Sequence, residues 1–216
     1  MNGGEGVNLK KIALSAVILT FLVCSIFGCA PGKIYLVDLK YISQDTAEKV
    51  PQPEHPLTIG IKTFDDSRME KEDVGRRIRS GGRMDIFKAN LPPVDQAVTR
   101  AIKNYLTKRG YRLVDIQSWD FSPEGLSDAP DGVDIMIGGK IESLWAEVES
   151  SITRTKIKSR VKLLVYVGKV NEGKVITRKV ESLPEVTEIS FKREKVERSL
   201  NQTISEVIER TLDDLE

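Results

Sequence analysis

The chain has 216 residues, of which 40% are hydrophobic and 30% are charged. Its 33 Lys and Arg residues nearly balance 32 Asp and Glu residues, and the formal net charge is +1. This balance argues against a nucleic-acid-binding protein, which carries a basic domain or stripe. The apolar fraction excludes an intrinsically disordered chain, and the length favours one globular domain.

The first residues have the pattern of an export signal. Lys10 and Lys11 precede an uncharged apolar run over residues 12–27, and small residues follow it. A basic region, an apolar region and then small residues are typical of a secretory signal peptide. The run is shorter than the about 20 apolar residues that a membrane-spanning helix needs. We therefore predict a signal peptide over residues 1–28, with an uncleaved helix as the alternative.

The residues that close the apolar run, Ile26-Phe27-Gly28-Cys29, resemble the lipobox of bacterial lipoproteins. In that motif an aliphatic residue, a small or aliphatic one and a small one precede the cysteine, so Phe27 departs from the pattern. The resemblance implies signal cleavage between Gly28 and Cys29 and attachment of a diacylglyceryl group to the Cys29 thiol. Several acyl chains fasten a protein stably to a membrane. We expect a lipid anchor at Cys29 that is labelled by palmitate; an ordinary secretory signal is the alternative.

The residue after the cysteine bears on the compartment. In enterobacterial lipoproteins, Asp at this position retains the protein at the inner membrane, so the resemblance and Ala30 favour the periplasmic face of the outer membrane. Anchoring at the inner membrane is the alternative. Because Cys24 leaves with the signal peptide, the exported chain holds only Cys29 and forms no disulfide. The core alone must then stabilise the fold.

Residues 29–56 are predicted to be the lipidated cysteine and an extended tether. Three prolines disfavour regular strand pairing at its end: Pro51, Pro53 and Pro56. Earlier in the tether, alternate apolar residues suit a short strand: Tyr35, Val37, Leu39 and Tyr41. We interpret the segment as a spacer that holds the domain away from the bilayer. Residues 57–216 are predicted to form one domain.

Two amphipathic helices are predicted in this domain. Apolar residues recur at steps of three and four over residues 94–109, directly after two prolines, and over residues 191–215. Alternating apolar residues predict about five strands, with a long hairpin between residues 133 and 181. The Gly138-Gly139 pair indicates a bulge or bend. Residues 65–92 are expected to form a long loop that is either mobile or functional.

These elements predict an α+β fold: a two-layer α/β sandwich in which a mixed, mostly antiparallel sheet of about five strands carries two helices on one face. The order of elements resembles the YajG-like family of bacterial lipoproteins. The resemblance lies in Cys29-Ala30-Pro31 with the apolar stretch after it, residues 59–68, Gly75-Arg76, the helix over residues 94–110 and the strand over residues 137–145. That family has no assigned molecular activity.

Four arginines stand among glycines in residues 75–83: Arg76, Arg77, Arg79 and Arg83. Guanidinium forks and free backbone N–H groups bind phosphate or carboxylate. The segment lacks the spacing of a phosphate-binding loop, and a mobile charged loop is the alternative. We hypothesise that the four arginines bind an anionic partner in the envelope.

Other candidate groups favour structural roles. His55 is the only histidine, which excludes a two-histidine metal site. The carboxylates around residues 65–73 lack the spacing of an EF-hand: Asp65, Asp66, Glu70 and Asp73. Three aromatic residues either line a ligand groove or pack as caps of the sheet, and we favour packing: Trp119, Phe121 and Trp145. No metal and no cofactor is expected.

The sequence therefore predicts a lipid-anchored, periplasm-facing envelope lipoprotein with a non-catalytic structural, assembly or binding role. It is not expected to be an enzyme. Its expected partners are the membrane, through the N-terminal lipid, and an envelope protein, a lipid or the cell wall; nucleic acid is not expected. The alternative is an auxiliary lipid- or substrate-contacting component of an envelope ABC-type transport system.

Overall fold

The computed structural model describes residues 32–43 and 56–215. The signal peptide, Cys29 and His55 lie outside the described residues. Those described form ten strands in one mixed sheet: β1 Ile34–Val37, β2 Thr58–Lys62, β3 Asp65–Asp66, β4 Asp73–Arg79, β5 Met84–Ala89, β6 Arg112–Ile116, β7 Ile135–Ser150, β8 Thr155–Lys169, β9 Lys174–Ser182 and β10 Glu185–Glu188. They also form two helices, α1 Val94–Lys108 and α2 Arg193–Leu212.

The long antiparallel hairpin of β7 and β8 forms the spine of the sheet. Strands β2 and β6 extend the sheet from the first half of β7, and β9 pairs with the second half of β8. The other end of the spine is flanked by β4, β5 and β1 on one side and by β10 on the other. The chain thus assembles two different groups of strands on one hairpin.

Both helices pack on one face of this sheet and share one hydrophobic core. The predicted apolar stripes account for this packing, since the buried residues of each helix recur at three- and four-residue steps. Inward-facing residues of β7 and β8 complete the core, with Ile137, Leu144 and Val161 at most 1% exposed. The two-residue period of the strands sends their other side chains to the opposite face.

A smaller cluster covers part of that opposite face. The segment between β6 and β7 lays Trp119 and Leu126 against Met136, whose neighbours Ile135 and Ile137 face the main core. The Phe121 ring stacks on Tyr166 of β8 with centroids 4.5 Å apart. Trp119 and Phe121 therefore pack over the sheet, as we favoured, and Trp145 lies apart from them on β7, opposite Arg160 of β8.

The α+β class, the two helices and the mixed sheet are confirmed, the mostly antiparallel character holds in part, and the strand count was wrong. The sheet has ten strands rather than about five, and five of its nine strand pairings are parallel. The expected loop over residues 65–92 was wrong, because it holds β3, β4 and β5. These strands carry so many charged residues that they lack the alternation of apolar and polar residues by which a strand is predicted.

The glycine pair of β7 serves close approach rather than a bulge. Pairing with β8 is continuous through Gly138 and Gly139, and the register shifts between Ile141 and Ser143 instead. A Cβ added to Gly139 would lie 2.2 Å from the carbonyl oxygen of Leu164, so only glycine fits there.

The interpretation of residues 29–56 as a spacer is corrected for residues 33–43. Strand β1 pairs in parallel with β5, and residues 38–42, hereafter the docked segment, run along α2. Backbone N–H groups of alternate docked residues donate to side chains one helical turn apart: Asp38 to Glu197, Lys40 to Asn201 and Ile42 to Ser205. Two residues of an extended chain span about 6.6 Å and four residues of a helix span about 6 Å. Every second residue of the docked segment therefore meets every fourth residue of α2.

Candidate functional site at the tip of the sheet

Six strand ends meet at one edge of the sheet, hereafter the tip. The ladders fix their neighbours through five pairs of residues: Ile34 with Ile86, Ile78 with Met84, Arg79 with Ser150, Ser150 with Thr155, and Thr155 with Glu188. The order across the tip is β1, β5, β4, β7, β8 and β10. Since adjacent strands lie about 4.8 Å apart, the tip is about 24 Å wide.

The arginine-rich segment of the sequence forms β4 and the turn that follows it at the tip. Arg79 donates both Nε and Nη2 to the carboxylate of Asp85, at 2.7 and 2.6 Å. The Lys33 backbone N–H donates to the same carboxylate at 2.9 Å, and Arg77 Nη1 lies 3.5 Å from it. Asp85 has no exposed surface. One buried carboxylate thus ties β1, β4 and β5 together.

The pKa directions agree with this geometry. Burial works to raise the pKa of Asp85, but the hydrogen bonds from Arg79 and the Lys33 N–H, with the nearby guanidinium charges, hold it below its ordinary value. The hydrogen bond to Asp85 raises the pKa of Arg79. Burial lowers the pKa of Arg77, whose guanidinium carbon lies 3.7 Å from the centre of the Phe191 ring. The ion pair is therefore charged at neutral pH.

The structure separates the four predicted anion-binding arginines into three environments. The two-residue period of β4 turns Arg76 away from Arg77 and Arg79, and its Nη2 lies 2.9 Å from Glu147 Oε1 on β7. Arg83 is exposed in the turn and has no side-chain partner among residues 32–43 and 56–215. Sequence reasoning missed Asp85 and Glu147, because both lie across a ladder from the arginines they neutralise.

Exposed apolar side chains surround this charged centre. Four large hydrophobic residues at or beside the tip keep much of their surface open to solvent: Ile34 at 64%, Met84 at 45%, Ile152 at 92% and Ile189 at 87%. Two further cations, Lys33 and Arg154, are exposed there and make no side-chain ion pair with any described residue. One exposed carboxylate at the tip, Glu149, also makes no side-chain ion pair with any described residue.

Three of the four carboxylates singled out in residues 65–73 lie beside basic side chains. Asp66 forms a two-point ion pair with the buried Arg68, and Asp73 lies 3.6 Å from Lys88 Nζ. Asp65 lies 3.9 Å from Lys62 Nζ, and Glu70 is exposed. Within the part of the chain that the structure describes, no cluster of three His, Cys, Asp or Glu side chains has the arrangement of a metal site.

An open groove lies at the carboxyl ends of β2 and β6, beside the first turn of α1. Its wall alternates in charge, and facing side chains pair with one another, as Lys103 does with Asp115 and Lys88 with Glu72. The positive and negative side chains that line the groove therefore balance one another. Among the described residues, no helix combines the length and the apolar character that crossing a bilayer requires.

The fold defines an α+β protein with a large mixed sheet, and comparison supplies the family. A family model described as uncharacterized lipoprotein matches residues 51–216. The chain belongs to this lipoprotein family, and membership indicates a membrane-anchored protein. Among curated protein sequences, none matches the chain.

Solved structures match the chain at low sequence identity. A protein from Xanthomonas campestris is 9% identical, with 83% of this chain and 91% of that one covered and a TM-score of 0.53, which shows a similar fold. A lipoprotein from Neisseria meningitidis is 11% identical, with 74% of this chain and 100% of that one covered. Its TM-score is 0.37.

Proposed function

We propose that the chain is a bacterial envelope lipoprotein, anchored by a lipid on Cys29 and serving a non-catalytic structural, assembly or binding role at the periplasmic face of the outer membrane. Family membership supports the lipoprotein class, and Ala30 supports the outer membrane. The order of β2, α1 and β6 supports a YajG-like relationship.

The position of β1 carries this proposal. The sheet begins at Ile34, and the Lys33 N–H is already bound to Asp85 at the tip. Cys29 precedes Lys33 by four residue steps, and each step spans at most about 3.6 Å. A lipid on Cys29 would therefore lie within about 14 Å of the tip. The lipobox-like sequence stands where it would attach the folded domain closely to a bilayer.

The ion pairs of the domain favour a structural role over catalysis. Arginines that stood out in the sequence are neutralised by carboxylates of neighbouring strands, Arg76 by Glu147 and Arg79 by Asp85. A catalytic acid or base must be free to exchange a proton with its substrate. In this protein the same groups hold strands together.

Two cysteine variants test the anchor. Cells that express the full chain, Cys29→Ser or Cys24→Ser are grown with labelled palmitate and separated into inner-membrane, outer-membrane and soluble fractions. We expect label and outer-membrane recovery for the parent chain and for Cys24→Ser, because Cys24 leaves with the signal. Cys29→Ser should lose the label. Label retained in Cys29→Ser, or absent from the parent chain, would contradict the proposal.

Crosslinking in intact membranes tests the role. Recovery of outer-membrane or cell-wall components supports a structural or assembly function at that membrane. Recovery of transporter subunits instead would favour the auxiliary transport component over the proposed function.

A further inference from the structure

We propose that the tip docks on the surface of an anionic phospholipid bilayer, with the side chains of Ile152 and Ile189 entering the headgroup region and Arg83 and Arg154 contacting lipid phosphates. This inference rests on the proposed lipid anchor, and it adds an orientation and a second membrane contact made by the folded domain.

The length of the linker favours this surface. Only residues 30–32 separate Cys29 from Lys33, whose backbone is bound at the tip. With at most about 14 Å of chain between lipid and tip, the bilayer lies within reach of the strand ends. The tip is thus the part of the domain that the anchor presents to lipid.

The apolar residues have the placement of interfacial anchors. Ile152 stands in the turn between β7 and β8, and Ile189 follows β10, the strand next to β8. They are 92% and 87% exposed, so neither contributes to the core. Ile34 on β1 and Met84 on β5 are further exposed apolar residues of the tip, on the side where Lys33 leads back to Cys29. Such side chains gain free energy when they leave water for the headgroup–acyl boundary.

The charges at the tip complement anionic lipid. Arg83 lies in the turn between β4 and β5, Arg154 lies in the turn between β7 and β8, and Lys33 adds a third exposed cation at the tip. Glu149 opposes them, but Asp85 is buried beneath two arginines and leaves an excess positive charge. Guanidinium groups form paired hydrogen bonds with phosphate oxygens. The predicted binding of an anionic envelope partner is here assigned to Arg83 and extended to Arg154.

Site-directed labels measure the docking depth in the lipidated full chain. Removal of Cys24 and acylation of Cys29 leave no other thiol, so Ile152→Cys, Ile189→Cys and the control Met69→Cys each carry one spin label. Met69 is 101% exposed and lies at the opposite end of β4 from the tip. The proteins are reconstituted in vesicles of phosphatidylethanolamine and phosphatidylglycerol, and the labels are probed with oxygen and with a water-soluble nickel complex.

Docking places the labels at 152 and 189 about 5–10 Å into the interface. Their oxygen-to-nickel collision ratio should then exceed that of the label at 69, which should match an aqueous control. The double variant Arg83→Glu/Arg154→Glu should return the first two labels to the aqueous ratio. The control Arg100→Glu/Lys174→Glu makes the same change in net charge on exposed residues away from the tip and should leave the labels docked.

The possible failures are distinguishable. A protein that does not float with vesicles and carries no lipid refutes the anchor, and with it the proposed function. A lipidated protein that floats while the labels at 152 and 189 stay aqueous refutes docking alone. Equal depth in vesicles of phosphatidylcholine only, or equal loss in both charge variants, refutes the assigned role of Arg83 and Arg154.

Discussion

Asp85→Asn removes the carboxylate charge on which two guanidinium groups of β4 converge. Asparagine keeps an oxygen for the Lys33 N–H but loses its charge-assisted hydrogen bonds, which contribute about 1.5–3 kcal/mol each in general. Breaking a fully buried pair costs about 3–5 kcal/mol. The side chains of Arg77 and Arg79 are 16% and 27% exposed. Water can therefore hydrate their guanidinium groups and offset part of the lost stability. We expect unfolding free energy to fall by about 2–3 kcal/mol.

The loss should depend on pH. The folded pKa of Asp85 lies below its ordinary value, so its contribution to stability is complete above the unfolded pKa of about 3.9. This contribution disappears as pH falls through the folded pKa. The parent chain and Asp85→Asn should therefore differ most at neutral pH and converge in acid.

Urea unfolding at several pH values measures both effects, and the melting temperature should fall by about 4–12 °C at neutral pH. Glu147→Gln on the neighbouring strand β7 is the matched control, because its ion pair with Arg76 of β4 is partly exposed and should contribute at most about 1 kcal/mol. Equal losses in the two variants, or a difference that persists unchanged at low pH, would refute the account of Asp85.

Four further variants test the packing. Gly139→Ala forces its Cβ against the Leu164 carbonyl and should lower the free energy of unfolding by about 3 kcal/mol or more. Gly81→Ala has open space around its Cβ but a φ of +92°, and should lower it by about 1–2 kcal/mol. The reverse order in urea unfolding would contradict the close approach at Gly139. Asn201→Ala should cost about 1–3 kcal/mol and speed amide hydrogen exchange in the docked segment, and unchanged exchange would contradict that contact. Trp119→Ala should cost about 3–5 kcal/mol in the same assay, and a loss below 1 kcal/mol would contradict its burial against the sheet.

The helices and the long hairpin were accessible from sequence because their patterns are local. The stripe predicted over residues 94–109 became Val94–Lys108, and that over residues 191–215 contains Arg193–Leu212. Within the hairpin predicted between residues 133 and 181, alternate residues of β8 from Ile157 to Val167 are buried. Each signal depends only on neighbours within a few residues, where side-chain period and burial are directly linked.

Strands β4 and β5 and the tip were not accessible in this way. The burial of Asp85 and the pairing of Arg79 depend on which strands lie side by side, and β4 pairs in parallel with the distant β7. The same holds for residues 38–42, whose polar partners lie on a helix at the other end of the chain. A charged strand lacks the apolar alternation that identifies strands, and its pairing with the distant β7 leaves no local signal in the sequence.

The N-terminal peptide measures the central claim most directly. Trypsin cuts the full chain after Lys33, so the exported protein should yield a pentapeptide that begins at Cys29 and ends at Lys33. Mass spectrometry should find this peptide carrying a diacylglyceryl group on sulfur. An unmodified Cys29 within a longer peptide that retains signal residues would contradict the anchor and the membrane-facing orientation that depends on it.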